Sequence, residues 1–306
     1  MKIAVFSDVH GRLRLMLHMM QCWQISHGTR LDAALVAGDL GCVPDPAKFD
    51  RATRRWIERD PEEAGFSEFF VTPKATVQEM FRDDPEHGEL AAVTGPVMFT
   101  AGNHEDHAFL LDRQSRGPAS GMHRATFPVD CYGKIHCIRD GFVARFPARD
   151  RVGIRIGALW GIENVPDGDP RKISSEAARR LMSDGNGFDL LVTHDAPQHS
   201  YTGHRSSETI SEVIKARKPP VHLFGHAHPV DGRHEFSVPG LPTRSWIFED
   251  VGFGKKCNGS LEGAMGILSW EVEWGKPKWS VEMVRDPWLS QMRHRNWMHV
   301  WPVTRA

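Results

Sequence analysis

Short apolar runs recur along the chain, and most of them end at a glycine or a polar residue. Runs of this length that are rich in β-branched and aromatic residues predict buried strands. The runs that fit this description best are Lys2–Ser7, Leu31–Ala37, Pro96–Ala101, Phe188–Thr193 and Val221–Gly225.

Helical patterns separate several of these strands. The dense apolar positions of Arg12–Gln24 predict a buried or strongly amphipathic helix. Ser174–Ser183 opens with a serine that can cap a helix, and Ser206–Arg217 is predicted as a further helix. Between His104 and Lys134 the pattern is less regular. Shorter strands are predicted at 135–138, 142–146, 152–160, 234–238, 244–248, 264–271 and 278–284. The sequence therefore predicts an α/β fold.

A polar, highly charged insertion, residues 40–95, separates the second and third predicted strands. A structureless loop of this length is uncommon in a domain. We therefore predict a cap or docking element with helices at Ala47–Arg59 and Thr72–Asp83. The predicted organisation is a main domain of residues 1–285 that carries this insertion, followed by a C-terminal tail of residues 286–306.

Composition excludes several classes of protein. The 306 residues include 38 Lys and Arg and 39 Asp and Glu, which gives a formal net charge of −1. A balanced charge provides no basic surface for tight, sequence-independent binding to nucleic acid. No apolar stretch reaches the roughly 18 residues of a membrane-spanning helix. The 5 cysteines are scattered and include no CxxC pair, which is typical of reduced thiols in a cytoplasmic protein. A protein partner cannot be inferred.

The polar residues that follow the predicted strands are of one chemical kind. Because ligands of open α/β sheets gather beyond the carboxyl ends of the strands, these residues are expected to converge. Side chains two residues apart on an extended segment point the same way, so each Asp-x-His or His-x-His pair can grip a cation. The residues concerned are Asp8, His10, Asp39, Asn103, His104, His194, His226 and His228.

The mixture of carboxylate and imidazole groups indicates the type of metal. It suits Mn, Fe, Zn, Co or Ni, whereas Mg and Ca prefer oxygen ligands. The groups outnumber the ligands that one ion needs, so we predict two divalent ions, with Mn favoured. A central carboxylate such as Asp39 can bridge two ions about 3.5–4 Å apart.

Five motifs carry a specific resemblance. In kind and order they are similar to those of the calcineurin-like metallophosphoesterase family, which implies a four-layered α/β/β/α sandwich. The motifs are Asp-x-His (Asp8–His10), Gly-Asp (Gly38–Asp39), Gly-Asn-His-Glu (Gly102–Glu105), His194, and Gly-His-Ala-His (Gly225–His228).

The resemblance also assigns roles. It implies one metal bound by Asp8, His10, Asp39 and His228, and a second bound by Asp39, Asn103, His194 and His226, with Asp39 as the bridge. It further implies that a metal-bridging hydroxide attacks phosphorus. His104 would then stabilise the phosphoryl transition state or protonate the leaving oxygen. The candidate substrate contacts are Arg12, Asn103 and His104.

The substrate class is less closely determined. Protein phosphatases of the family have a longer Gly-Asp-x-Val-Asp-Arg-Gly block, and residues 38–44 lack its second Asp and its Arg. The insertion, a short helix after Gly-Asn-His-Glu and His-Asp-x-Pro at 194–197 are looser similarities to the lariat-debranching branch, which cleaves RNA phosphodiesters. We therefore expect a phosphodiesterase acting on a nucleotide or nucleic acid. The alternatives are a phosphomonoesterase and a non-catalytic scaffold like the retromer phosphoesterase-like subunit.

Two acidic residues next to the motifs have more than one interpretation. Glu105 is interpreted as a carboxylate at a helix N-terminus rather than as a catalytic group. Asp195 either orients the imidazole of His194 or caps the following turn. The sequence does not decide between these two roles of Asp195.

Overall fold

The computed structural model places two mixed β-sheets face to face. Statements about the structure concern the part of the chain that it describes. These residues are 1–71, 81, 91–116, 122–146, 153–198, 206–237, 239–253, 260–274 and 276–302.

The first sheet contains the amino-terminal strands of the chain. Its strands, in spatial order, are β13 (Lys276–Met283), β12 (Gly266–Glu273), β1 (Lys2–Phe6), β2 (Ala33–Ala37), β3 (Val97–Thr100), β5 (Ile135–Ile138) and β4 (Thr126–Pro128). Strands β1, β2, β3 and β5 pair in parallel, while β12, β13 and β4 are antiparallel to their neighbours. The carboxyl ends of β1, β2 and β3 therefore lie at one edge.

The second sheet repeats this design. Its strands, in spatial order, are β10 (Glu235–Ser237), β11 (Arg244–Ile247), β9 (Val221–Phe224), β8 (Leu190–Thr193), β7 (Ile154–Leu159) and β6 (Val143–Phe146). The four strands β11, β9, β8 and β7 are parallel, and antiparallel strands flank them. Strands β8, β9 and β11 thus deliver their carboxyl ends to a common edge as well.

Helices cover the outer faces of both sheets. The helices in the described part of the chain are α1 (Leu13–His27), α2 (Arg51–Ile57), α3 (Gly65–Val71), α4 (His107–Arg116), α5 (Ser175–Ser183), α6 (Glu208–Arg217) and α7 (Pro287–Gln291). None of these helices has the length and apolar character needed to cross a membrane.

The side chains of each central strand alternate between the two faces of its sheet, and this alternation produces the layers of the fold. In β1, Ile3 and Val5 face the second sheet, whereas Ala4 and Phe6 pack with α1. On the far side, Leu191 of β8 packs with α5 and α6. Because successive side chains of a strand point to opposite faces, each central strand contributes to two apolar layers. The result is the predicted α/β/β/α sandwich.

The carboxyl-terminal segment joins the same core as α1. Trp288, Leu289 and Trp297 are buried in the apolar cluster that contains Phe6 and Met16. Burial of large side chains contributes about 1.5–3 kcal/mol each. This segment is therefore packed against the sandwich over the residues that the structure describes.

Most predicted elements are present, with specific corrections. The predicted helix Ala47–Arg59 is wrong in extent, because Pro46–Lys48 forms a 3₁₀ turn and α2 begins only at Arg51. Helix α4 occupies the region of less regular pattern after His104. Its apolar stripe is narrow, and only His107 and Leu110 are buried. The predicted helix Thr72–Asp83 lies outside the described residues except for position 81.

Four of the five cysteines are described, and all four are free thiols. Cys22, Cys42 and Cys137 are buried, and Cys131 is exposed. Burial raises the pKa of the Cys22 thiol to about 12. The four described cysteines are thus unpaired with one another, as the scattered spacing predicted, and burial disfavours the reactive thiolate of Cys22.

Candidate metal centre

Strand ends from both sheets bring the predicted residues together. From the first sheet, β1 leads to Asp8, β2 to Asp39, and β3 to Asn103. From the second sheet, β8 leads to His194 and β9 to His226. Since these strands are parallel within each sheet, their carboxyl ends surround one space, as the sequence predicted.

Several of these residues have an unusual backbone conformation. The φ angles of Asp8, His10 and Asp39 are 49°, 48° and 49°, and that of His226 is 63°. A non-glycine residue in the left-handed region costs about 1–3 kcal/mol, and such residues concentrate at functional sites. Backbone hydrogen bonds hold the turns, since the His10 amide donates to the Asp39 carbonyl at 2.8 Å.

Asp39 is the central group of the site. Its Oδ1 accepts hydrogen bonds from the backbone amides of Asn103 at 2.6 Å and His104 at 2.8 Å. Its Oδ2 lies 3.2 Å from Nε2 of His194. Burial opposes ionisation of this carboxyl, but the facing imidazoles outweigh that effect and hold its pKa well below its usual range. Asp39 is therefore an ionised carboxylate whose Oδ2 is directed into the site.

His194 is held in one orientation. Its Nδ1 donates to the carbonyl of Ala37 at 3.1 Å, so Nε2 is the nitrogen that faces the site. Nε2 lies 3.2 Å from both Asp39 Oδ2 and Asn103 Oδ1. Burial lowers the tendency of this ring to be charged, but Asp39 and Asp8 raise its pKa to about 10. Asp39 Oδ2 and Asn103 Oδ1 are thus both neighbours of the His194 nitrogen that faces the site.

Asp8 and His10 form a second group with a residue that the sequence analysis missed. His10 Nε2 lies 3.7 Å from Asp8 Oδ1, and one ligand atom each of Asp8, His10 and Asp250 lies within 4.8 Å of the others. The Val251 amide donates to the Asp8 carbonyl at 3.1 Å, which fixes Asp250 beside β1. Asp250 follows β11, which is a parallel strand. Its position after that strand is the feature of the sequence from which Asp250 could have been predicted.

The two histidines after β9 have different surroundings. The His226 ring lies 4.8 Å from the His194 ring, and Asp39, His194 and His226 form one potential ligand cluster. His228 instead places Nδ1 2.8 Å from Glu249 Oε2 and belongs to none of the potential ligand clusters found among the described residues, so its place beside Asp8 and His10 stays a prediction. A carboxylate on Nδ1 is the arrangement that commonly orients a metal-binding histidine, and it leaves Nε2 for the ion.

His104 has a partner that the motif alone could not reveal. Its Nδ1 lies 3.1 Å from Oδ2 of Asp50, a residue of the insertion. Burial disfavours charge on this ring, but Asp39 and Asp50 outweigh that effect and raise its pKa to about 9. His104 also lies close enough to His10 and Asp39 to form a potential ligand cluster with them.

The guanidinium of Arg12 is paired with two carboxylates of the insertion. Its Nε is 2.7 Å from Asp60 Oδ2, and its terminal nitrogen is 2.5 Å from Glu63 Oε1. We call these three residues the Arg12 clamp. All three are buried, so the clamp ties the insertion to the turn that carries Asp8 and His10.

The acidic neighbours of the motifs have structural contacts. Glu105 accepts a hydrogen bond from the Gly102 amide at 2.9 Å and closes the turn after β3. Asp195 accepts from the amides of Glu163 at 2.8 Å and Ala196 at 2.9 Å. Asp195 therefore holds the chain after His194, while the carbonyl of Ala37 accepts from the His194 ring.

Two positions next to the candidate ligands must be glycine, because carboxylate oxygens lie very close to their backbone. A Cβ on Gly102 would overlap Oδ1 of Asp39, and one on Gly225 would overlap Ser7 and Oδ2 of Asp8. The carboxylates can approach the neighbouring backbone only because these positions lack a side chain.

The donor set fits two divalent cations. Burial raises the pKa of Asp8 to about 7, and the neighbouring carboxylates of Asp250 and Asp39 add to this rise. Carboxylates buried this close to one another need a counter-charge. Two potential ligand clusters, His10 with His104 and His194 with His226, share Asp39. Carboxylate and imidazole together suit Mn, Fe, Zn, Co or Ni.

The family model of the calcineurin-like phosphoesterases matches residues 1–230, which contain all five motifs. The chain belongs to this family. Its fold, its motif order and the convergence of the strand ends are therefore features of a calcineurin-like phosphoesterase. A comparison with curated proteins finds no significant match.

Solved structures with low identity cover nearly the whole chain. The protein TT1561 of Thermus thermophilus is 12% identical, with a TM-score of 0.47 over 91% of this chain and 97% of that one. A hypothetical protein from the same organism is 14% identical, with a TM-score of 0.42 over 94% and 100%. Vacuolar Protein Sorting 29 from Cryptosporidium parvum is 7% identical, with a TM-score of 0.32 over 93% and 98%. At these scores, the family assignment rests on the family model.

Proposed function

We propose that this calcineurin-like phosphoesterase is a metal-dependent phosphodiesterase that hydrolyses a phosphodiester of a nucleotide or nucleic acid. The observation that carries the proposal is the convergence of Asp39 Oδ2, His194 Nε2 and Asn103 Oδ1, in which each oxygen lies 3.2 Å from the nitrogen. Asp39, His194 and His226 form one potential ligand cluster, and Asp8, His10 and Asp250 form another, which supports the use of two ions.

The chain's own residues have distinct tasks in this proposal. When bound, two divalent ions supply Lewis acidity that lowers the pKa of water and offsets charge on the phosphate oxygens. Asp8, His10 and His228 would hold one ion, with Asp250 beside Asp8 and His10. Asn103, His194 and His226 would hold the other ion, and Asp39 would be shared between the two. His104 approaches from the insertion side and donates a proton to the leaving oxygen, a step worth about 10²–10⁴-fold in rate.

The charge near the site favours a diester over a monoester. A phosphomonoester is largely a dianion at neutral pH and gains from a cationic side chain that binds its extra oxygen. Arg12, the arginine nearest to the first motif, is already paired with two carboxylates in the Arg12 clamp. A monoanionic diester has less need of that arginine. The similarity of motif layout to the lariat-debranching branch favours the same substrate class.

The test compares bis-p-nitrophenyl phosphate with p-nitrophenyl phosphate. Metal-stripped protein is reconstituted with Mn²⁺, metal content is measured, and both rates are recorded. Faster turnover of the diester is expected. Preference for the monoester would identify a phosphomonoesterase instead, and no turnover by protein that holds two ions would favour a scaffold.

The His104→Ala variant is the companion measurement. It should keep both ions and lose most of the rate, because the proton donor is removed while the proposed ligands remain. Since His104 lies close to His10 and Asp39, metal content is decisive. If the ions are lost together with the activity, His104 is a metal ligand and not a proton donor.

A further inference from the structure

Asp50 makes two contacts through its two carboxylate oxygens. Oδ1 accepts a hydrogen bond from the Thr53 amide at 2.6 Å and thereby caps α2. Oδ2 lies 3.1 Å from Nδ1 of His104, which is an ion-pair contact without the angle of a hydrogen bond. A cap of this type fixes the side chain of the capping residue, because its oxygen must reach an amide of the first helical turn. The second oxygen is therefore directed at His104 by the start of a helix.

The part of the insertion around Asp50 is anchored on both sides. Before it, Lys48 Nζ lies 2.7 Å from Asp106 Oδ2, and Asp106 is close to His104 in the chain. Beyond α2, the Arg12 clamp joins the insertion to the turn of Asp8 and His10. Lys48 is half exposed, so its ion pair contributes little energy, whereas the clamp is buried. Asp50 thus stands between two attachment points next to the metal centre.

We propose that the insertion completes the active site, and that Asp50 is a positioning residue which holds Nδ1 of His104 so that Nε2 faces the leaving oxygen of the substrate. A carboxylate at one ring nitrogen fixes the orientation and the tautomer of the ring and raises its basicity. The proposal rests on the proposed function and on His104 as the proton donor. It assigns to residues 46–57 a task in catalysis, not in docking.

The chain offers a closely matched pair of variants. Asn caps helices about as well as Asp, so D50N keeps the α2 cap and removes the charge that faces His104. D45N is the control, because Asp45 Oδ1 accepts from the Ala47 amide at 3.0 Å and caps the preceding 3₁₀ turn. Both positions are exposed and lie on the same insertion, but Asp50 is the one that faces His104.

Two diesters separate proton donation from a general loss of structure. The leaving p-nitrophenolate of bis-p-nitrophenyl phosphate needs little protonation, whereas the phenolate of diphenyl phosphate needs more. With Mn²⁺ bound, D50N should lose about 10²-fold in kcat on diphenyl phosphate, which lies within the range for a general acid. It should lose less than about tenfold on bis-p-nitrophenyl phosphate, and D45N should match the wild type on both. An equal loss on both diesters, or no loss on either, overturns the proposal.

A second readout does not depend on turnover. In ¹H–¹⁵N spectra of the histidine rings, assigned with H104A, the Nδ1 signal of His104 should shift in D50N and stay in place in D45N. A wild type inactive on both diesters refutes the proposed function and the catalytic role of Asp50 with it. In that case the spectrum still determines whether Asp50 holds His104. An unchanged His104 signal in D50N refutes the contact even if the wild-type enzyme is active.

Discussion

Replacing Arg12 with Met removes the charged centre of the Arg12 clamp and keeps most of its aliphatic stem. The guanidinium contacts Asp60 at 2.7 Å and Glu63 at 2.5 Å, and the three side chains are 9%, 13% and 9% exposed. Removing one partner of a buried ion pair costs about 3–5 kcal/mol, because the remaining charges stay buried without compensation. Here Glu63 would lose the guanidinium, and Asp60 would keep only the half-exposed imidazole of His294, 3.4 Å away.

The size of the expected effect follows from the chain length. Unfolding entropy is about 2.1 cal/mol/K per residue, or about 0.6 kcal/mol/K for this chain. A loss of about 3–5 kcal/mol therefore lowers the melting temperature by about 5–8 °C. The measurement is thermal unfolding of the metal-stripped protein, followed by circular dichroism.

Arg14→Ala provides the control, because Arg14 lies in the first turn of α1, two residues after Arg12. Arg14 is 40% exposed and lies 3.1 Å from Glu68, which is 45% exposed, so the loss should be at most about 1 kcal/mol. The triple variant R12M/D60N/E63Q should recover part of the lost stability, because it also removes the stranded charges. A melting temperature of R12M equal to that of R14A would refute the clamp. An unchanged melting temperature with a raised KM would return Arg12 to substrate binding.

Three further results are expected. Asp39→Asn should keep the fold, because an amide oxygen can still accept from the neighbouring backbone, but metal analysis should show both ions lost. Asp250→Asn should weaken one Mn²⁺ site at least about tenfold in calorimetric titration, and an unchanged isotherm would exclude it as a ligand. Burial lowers the pKa of His222 to about 3. The stability that the neutral ring contributes to the folded state is therefore present above about pH 6.5 and is lost as the pH falls. The free energy of unfolding should therefore drop by about 2 kcal/mol more between about pH 7 and 5 in the wild type than in His222→Gln.

The parts of the fold that the sequence predicted well share a physical reason. Strands such as Leu190–Thr193 are buried on both faces, so their apolar runs are continuous and end at polar residues. Helix α5 begins directly after Ser174, whose hydroxyl accepts from the Ala177 amide at 3.2 Å. Signals of this kind depend on residues that are neighbours in the chain, so they can be recognised in the sequence.

The insertion shows where local signals are insufficient. The pattern of Ala47–Arg59 predicts one helix, but Phe49 takes an extended ψ of 132° and separates a 3₁₀ turn from α2. That break lets Asp50 cap α2 and reach His104 at the same time. Neither the break nor the contact follows from helical spacing, because both depend on how the insertion packs on the sandwich.

Some residues of the candidate metal centre could be predicted from the sequence, and others could not. Asp8, Asp39 and His194 were predictable because each follows a recognisable parallel strand within a short motif. Asp250 also follows a parallel strand, β11, but it belongs to no motif. Its place beside Asp8 depends on the pairing of β11 with β9 and on the Val251 amide that donates to the Asp8 carbonyl.

The described part of the insertion packs directly against the turn that carries the first motif of the candidate metal centre. The first motif and the insertion are in direct contact, since a Cβ on Gly11 would overlap the carbonyl of Glu63 and a Cβ on Gly65 would overlap that of Gly11. Close backbone contact of this kind leaves little room for independent movement.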